Sequence, residues 1–352
     1  MIPISVAMPV CDNKQLSVKP RSRFDWLDCV RGFAMLLVIY GHLLEDEIDF
    51  FIITSPFKIP LFFAITGFIF NPNKDNKLFY KDLVHKLIVP WLCLALFPPF
   101  CVSFQRGWAF FGDRFVNVIM GKSIWYMPAC IIAEIIFYYI NKIKDKYLKI
   151  PAMIVCSCIG FILAYCDIGN WFMFNRSMIA QFYLCIGFLF RDKIIDNGKY
   201  VEIISRRKII ISLTIVYFSL ISVNYLCYSN MCIDVHNNYY CYIPVSLLSI
   251  FVGCNLIFCI FYFKQISWHW LSFIGKNTLV FYIWNNYANN ISTIIVNSIY
   301  PNIECSKYFI SAIKLFISII VLSICSLVIK KIIMIVSGYR FSWKPNKGLR
   351  NI

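Results

Sequence analysis

Long apolar stretches separated by short polar segments make up most of the chain. A spanning helix needs about 20 mostly apolar residues to cross the hydrocarbon of a bilayer, and stretches close to that length recur along the sequence. The pattern predicts ten transmembrane helices, at 28–45, 56–71, 88–105, 124–140, 150–166, 177–190, 209–227, 241–262, 278–297 and 308–330. We therefore expect an all-α polytopic membrane protein, with a transmembrane domain over 23–335 between polar tails at 1–22 and 336–352.

Composition supports this class and excludes others. Of 352 residues, 60% are hydrophobic and 15% charged, whereas about a quarter of the residues of a soluble domain are charged. A chain of this size cannot form a soluble core large enough to bury so much apolar surface. A secreted enzyme, a cytosolic enzyme and a separate nucleotide-binding domain are thereby excluded.

The net charge of +16 is explained by membrane topology rather than by nucleic-acid binding. With the N-terminus placed in the cytosol, most Lys and Arg residues fall on the cytosolic side of the ten spans. That asymmetry follows the positive-inside rule, and it places both termini in the cytosol. We expect contacts with membrane lipid, no nucleic-acid partner and no metal site.

The first predicted span carries three ionisable side chains, Asp28, Arg31 and His42. Such groups are costly within a membrane and are candidates for function. At about 100° per residue, Arg31 and His42 project from the same helix face, about 16 Å apart along the axis. Asp28, one turn before Arg31, can pair with it. A snorkelling Arg and an interfacial His are the structural alternative.

Two further spans add polar groups. Lys58 begins the second span, at a predicted depth similar to that of His42, and Thr66-Gly67 allows close packing with another helix. In the fourth span, Trp125-Tyr126 is predicted at the outer membrane interface. Glu134 follows about 14 Å deeper, where a carboxyl group must be neutral or paired.

Four blocks of sequence carry a family resemblance. They are Leu27-Asp28-x-x-Arg31-Gly with Gly41-His42; Ile59-Pro60-Leu61-Phe62-Phe63-x-x-Thr66-Gly67-Phe68; Phe79-Tyr-Lys81…His85-Lys86-Leu-Ile-Val-Pro90, followed by Trp125-Tyr126-Met-Pro128…Glu134; and Ile274-Gly275-Lys276-Asn277-Thr278…Tyr282. In this order they resemble membrane-bound acyltransferase family 3, particularly its short fucose 4-O-acetylase-like members. The chain departs from the family at Lys58 and Asn285, where His is common, and at Thr66, where Ser is common.

The resemblance implies transfer of an acetyl group from acetyl-CoA, a co-substrate rather than a bound cofactor, to a sugar hydroxyl. The acceptor is expected to be a surface polysaccharide (O-antigen, capsule or exopolysaccharide) or its lipid-linked precursor, at a bacterial cytoplasmic (inner) membrane. His suits the role of general base, and basic inner loops suit the phosphates of CoA. The expected residues are catalytic His42, Lys58 and Glu134; donor-binding Arg31, Asp28, Lys81 and Lys86; and acceptor-binding Trp125, Tyr126, Tyr282 and Asn285.

Two other functions are compatible with the pattern. A transporter or flippase of glycan precursors would also have about ten spans and buried charges, but it would more often show matched, Gly- or Pro-broken helices in two halves. A non-catalytic assembly factor would tolerate loss of His42. Dependence on acyl-CoA separates both from an enzyme.

Overall fold

A computed structural model describes residues 24–44, 48–196, 206–226, 243–299 and 306–337. The predicted N-terminal tail and most of the C-terminal tail lie outside these ranges. The described residues are 88% helical and contain no strand. The helices of the first half are α1 (Asp25–Leu43), α2 (Ile48–Lys58), α3 (Pro60–Ile69), α4 (Asn76–Leu83), α5 (Val89–Arg106), α6 (Trp108–Ile119) and α7 (Tyr126–Lys142). Those of the second half are α8 (Lys146–Tyr165), α9 (Phe174–Phe190), α10 (Arg206–Leu226), α11 (Ile243–Phe263), α12 (His269–Lys276), α13 (Thr278–Ile299) and α14 (Lys307–Ser337).

The all-helical class is confirmed, and each predicted span overlaps a helix. Within the described ranges, seven helical segments are long and apolar enough to cross a membrane. The helices α7, α10 and α13 are not among those seven. The chain is an integral membrane protein, and ten spans with cytosolic termini stay a prediction.

The second predicted span lies in a continuous segment, Asp49–Ile69, that is long and apolar enough to cross a membrane. The helix assignment is interrupted for one residue at Ile59, whose φ of −86° and ψ of −44° remain helical, and Pro60 starts α3. Proline lacks the N–H that would continue the hydrogen-bond ladder, and it is favourable at the first position of a helix. The interruption leaves Lys58 at the end of α2.

Glycine lets the helices nearest the centre approach very closely. A Cβ at Gly67 of α3 would overlap the Leu184 carbonyl of α9, and one at Gly187 would overlap the Ala64 carbonyl. In α12, a Cβ at Gly275 would overlap the carbonyl of Asp28. Such contacts stabilise helix pairs in lipid, where no hydrophobic force drives them together. The close approach predicted at Thr66-Gly67 is confirmed.

Helix α1 lies at the centre of the bundle. It packs against α2, α3, α11, α12, α13 and α14, so that even Asp28 is only 5% exposed. Large apolar side chains on α5, α8 and α14, among them Phe104, Ile162 and Phe316, are exposed instead. In a membrane protein such side chains face lipid. The central position of α1 buries Asp28 and leaves Arg31 partly buried.

Candidate active site

A cavity of about 690 Å³ opens among α1, α3, α4, α7 and α13, at the end of the bundle where α1 begins. Its charged lining residues are Asp28, Arg31, Lys74, Asp82, Lys86, Glu134 and Arg191. The remaining wall is largely apolar and aromatic, with Phe62, Tyr126 and Tyr282 on it. A concave, mainly apolar site with a few charged groups is the usual form of a small-molecule or cofactor pocket, and this volume is typical of one.

One side of the cavity is built on the first turns of α1. The Arg31 guanidinium lies 3.8 Å from the Asp28 carboxylate, which confirms the predicted pair, and the Lys276 ammonium lies 3.9 Å from the other carboxylate oxygen. The close contact at Gly275 brings Lys276 to this position. A nearly buried carboxylate between two cations is stable because its charge is compensated. Asp28 thus holds Arg31 in place at the cavity wall.

The opposite side carries a second charge cluster, Lys74, Asp82 and Lys86. Asp82 forms ion pairs with both lysines, and the one to Lys86 measures 2.8 Å. Lys86 lies in a π-helical turn, Val84–Ile88, that joins α4 to α5. Turns of this kind are rare and often occur at functional sites. The Lys86 side chain is 74% exposed, so its charge is accessible to a ligand.

The inner wall is a face of α7. Tyr126, Cys130 and Glu134 follow one another at four-residue intervals, and the Cys130 thiol donates to the Glu134 carboxyl at 3.8 Å. Glu134 lines the same cavity as Lys74 and Arg31.

Tyr126 lines the cavity within a cluster of aromatic rings, and its place at a membrane interface stays a prediction. Its ring packs against those of Phe62, Phe63 and Tyr282 at centroid distances of 4.9–5.8 Å. The Tyr126 backbone N–H donates to the Tyr282 hydroxyl at 3.3 Å. The aromatic rings form the end of the cavity that is farthest along α13. Trp125, by contrast, is buried beside the cavity, under the Arg176 guanidinium at 4.9 Å.

His42 and Lys58 lie toward the other end of α1, outside the lining of the cavity. The Lys58 ammonium is 3.4 Å from the position that a Cβ on Gly41 would take, so the similar depth predicted for Lys58 and His42 is confirmed. Lys58 is 9% exposed and lies 3.6 Å from the centroid of the Phe51 ring. His42 is exposed. A cation at this end of α1 is suited to stabilising negative charge.

An apolar layer separates this end from the cavity. Met35 and Val38, which follow Arg31 on the same face of α1, are buried against Phe281 and Leu322. Phe62 and Tyr282 line the cavity and also pack against this layer. The polar stripe predicted between Arg31 and His42 is therefore interrupted by about two turns of apolar packing.

The structure brings most of the predicted residues, but not all, to one place. Those lining the cavity are Asp28, Arg31, Lys86, Tyr126, Glu134 and Tyr282. Those outside its lining are His42, Lys58, Lys81, Trp125 and Asn285. Lys81 is exposed, whereas Asn285 is buried one turn beyond Tyr282.

Sequence reasoning missed three charged residues on the cavity wall. Asp82 is four residues before Lys86, a spacing at which opposite charges pair on a helix. The pairing of Asp82 with Lys86 was therefore predictable from the sequence. Lys74 and Arg191 carried no such local signal. Arg191 donates to the carbonyl oxygens of Phe68 and Phe70 at 3.4 and 3.2 Å, a contact that only the folded chain creates.

Comparison with known families agrees with this geometry. A family model described as an acyltransferase domain, that of acyltransferase family 3, matches residues 24–329. The chain belongs to acyltransferase family 3. The match covers essentially the whole chain and includes every residue of the cavity wall. No curated protein and no solved structure matches the chain. The protein is therefore a membrane acyltransferase.

Proposed function

We propose that this acyltransferase moves an acetyl group from acetyl-CoA to a sugar hydroxyl of a surface polysaccharide or of its lipid-linked precursor, at the bacterial cytoplasmic membrane. The observation that carries the proposal is the cavity with cations on its wall, namely Arg31, Lys74, Lys86 and Arg191. It lies at the end of α1 that the charge distribution predicts to be cytosolic, where acetyl-CoA is available.

The cationic wall suits a phosphorylated donor. Guanidinium and ammonium groups form strong, charge-assisted hydrogen bonds with phosphate oxygens. Asp82 already holds Lys74 and Lys86 close together, so a phosphate entering beside them meets two positioned cations. On the far wall, the aromatic rings of Tyr126 and Tyr282 leave an apolar surface for the uncharged arm of the donor.

His42 is the proposed general base at the acceptor side. It takes the proton of the sugar hydroxyl as the hydroxyl oxygen attacks the acetyl carbonyl, a role that suits an imidazole. A C–O ester bond forms, the C–S bond of the thioester breaks, and the proton passes from His42 to the departing CoA sulfur. Lys58, beside Gly41, would stabilise the oxyanion. Glu134, which lines the cavity wall, would act on the bound acetyl-CoA.

The apolar layer between the cavity and His42 sets a condition on this mechanism. For the acetyl group to reach His42, the side chains of Met35 and Val38 must move apart when the donor is bound. Met side chains are flexible and adapt readily to new neighbours. Without such movement, the layer separates the cavity from the His42 end of α1.

The proposal is tested by measuring ester-linked acetate on the surface polysaccharide of the native host. A deletion strain is complemented with the wild-type protein, His42→Ala or His269→Ala at equal amounts. His269 is exposed and outside the cavity lining, so its variant is the matched control. We expect acetate to be restored by the wild type and by His269→Ala, and to be absent with His42→Ala.

Other outcomes favour the alternatives. Equal restoration by His42→Ala would contradict a catalytic role for that residue and favour a non-catalytic assembly factor. If deletion lowers the amount of polysaccharide at the surface, and the polysaccharide that remains carries the same acetate per sugar, a transporter or flippase is favoured.

A further inference from the structure

A row of polar side chains on α13 continues beyond the cavity. Tyr282 lines the cavity, and Asn285, Asn289 and Ser292 follow at intervals of three or four residues, which places all of them on one helix face. These three side chains are 2%, 7% and 0% exposed. Buried polar groups in a membrane bundle need hydrogen-bond partners, because lipid supplies none.

The partners present in the fold satisfy only part of this row. The Ser292 hydroxyl donates to the Asn289 backbone carbonyl at 2.9 Å. Ser318 of α14 lies 2.9 Å from Asn289 Oδ1 and 3.0 Å from Ser292 Oγ, and its single proton serves one of them. Among the described residues, Asn289 Nδ2 and Asn285 Oδ1 have no hydrogen-bond partner.

The two unsatisfied atoms are chemically complementary. Asn289 Nδ2 is a donor and Asn285 Oδ1 is an acceptor, and side chains four residues apart on a helix have Cβ atoms about 5–6 Å from each other. One ligand hydroxyl can accept from the first and donate to the second. Neither group is charged, so the pair suits a neutral hydroxyl better than a phosphate or a carboxylate.

The pair also lies between the two parts of the proposed mechanism. Phe281 and Ala288, on the same helix, belong to the apolar layer with Met35 and Val38 of α1. Toward the far end, Ser311 donates to the carbonyl oxygen of Leu43, next to His42, at 3.1 Å. Ser318 is seven residues further along α14, so the Asn289 contact lies about 10 Å from that carbonyl along the helix.

From this arrangement we infer that Asn285 and Asn289 form a binding site for a hydroxyl group of the neutral sugar acceptor, inside the bundle at the depth of the apolar layer between the cavity and His42. The inference rests on the proposed function and assigns its acceptor to a place in the fold. Ser318 is a positioning residue, since its hydroxyl lies 2.9 Å from Asn289 Oδ1.

Replacement of either amide by leucine tests the site. Asn285→Leu and Asn289→Leu remove the unsatisfied atoms and keep a similar volume. Asn289→Leu also removes an acceptor of the Ser318 hydroxyl, which still has the Ser292 hydroxyl oxygen at 3.0 Å. The matched control is Asn141→Leu in α7. Asn141 is 5% exposed and also has an amide oxygen without a partner among the described residues, but it does not line the cavity.

Two measurements are made on each variant. The first is ester-linked acetate on the surface polysaccharide of the complemented deletion strain, expressed per folded protein. The second is the shift of the melting temperature of the purified protein on addition of acetyl-CoA, which reports donor binding and the amount of folded protein. Asn285→Leu and Asn289→Leu should lower acetate about tenfold, the loss of one to two net hydrogen bonds, and keep the acetyl-CoA shift. Asn141→Leu should keep both.

The inference is overturned if both leucine variants on α13 restore wild-type acetate, if they lose the acetyl-CoA shift, or if Asn141→Leu loses acetate equally. A failure of the proposed function has a different pattern. In that case the wild type restores no acetate, or His42→Ala restores as much as the wild type, whatever the α13 variants do.

Discussion

Replacement of Arg31 by alanine should weaken donor binding and leave the fold largely intact. Arg31 faces the cavity from α1 and pairs with Asp28 at 3.8 Å. A hydrogen bond between a charged side chain and a phosphate contributes about 1.5–3 kcal/mol. Since 1.4 kcal/mol corresponds to a factor of ten, the KM for acetyl-CoA should rise by about 10- to 150-fold.

The control for this variant is Lys276→Ala. Lys276 is the second cation at Asp28, at 3.9 Å, but it does not line the cavity. Each variant removes one cation at the nearly buried Asp28 carboxylate, and Lys276→Ala also removes the pair with the exposed Asp25. Both should therefore destabilise the protein to a moderate extent. Only Arg31→Ala removes a group that the donor can touch.

The assay is acetyl transfer from acetyl-CoA in isolated membranes, with the melting temperature of each purified variant measured in parallel. We expect a raised KM for acetyl-CoA with Arg31→Ala and an unchanged KM with Lys276→Ala. An equal rise in the two variants would show that the effect comes from disturbance of Asp28. An unchanged KM in Arg31→Ala would refute the assignment of the cavity to the donor.

Two further substitutions test the packing and the second charge cluster. Gly67→Ala places a methyl group against the Leu184 carbonyl and should destabilise the protein by about 1–3 kcal/mol, which is measured as a lower melting temperature. At Gly112 a Cβ meets nothing within 4 Å, so Gly112→Ala should leave the melting temperature unchanged. Lys86→Ala should raise the KM for acetyl-CoA several-fold and make that KM less sensitive to salt. Lys77, which is exposed and outside the cavity lining, is the control, and Lys77→Ala should leave the KM unchanged. Equal effects of the two substitutions would indicate a nonspecific effect of charge.

The helical class was predictable because lipid permits little else. Apolar stretches of spanning length have to be helical, and each of the ten segments overlaps a helix. Pairings within one helix were predictable as well, since Asp28 and Arg31 are one turn apart. The interruption before Pro60 was harder to predict, because a proline inside an apolar run can either kink a helix or end it.

The features that the sequence could not predict depend on contacts between segments that are far apart along the chain. The cavity wall takes Lys74, Arg191 and Glu134 from three separate helices or connections, and their spacing along the chain carries no information about their proximity. The apolar layer was hidden for a different reason. Met35 and Val38 are ordinary residues of a spanning helix, and only their burial against Phe281 and Leu322 shows that they close the path to His42.

Transfer of labelled acetyl to the glycan tests the central claim most directly. Inside-out membrane vesicles that contain the wild-type protein or His42→Ala receive acetyl-CoA with a ¹³C-labelled acetyl group on their cytosolic face. Our account predicts that the wild type places the label in base-labile esters of the vesicle glycan and that His42→Ala does not. Absence of label from the glycan with the wild-type protein, or equal labelling with His42→Ala, would contradict it.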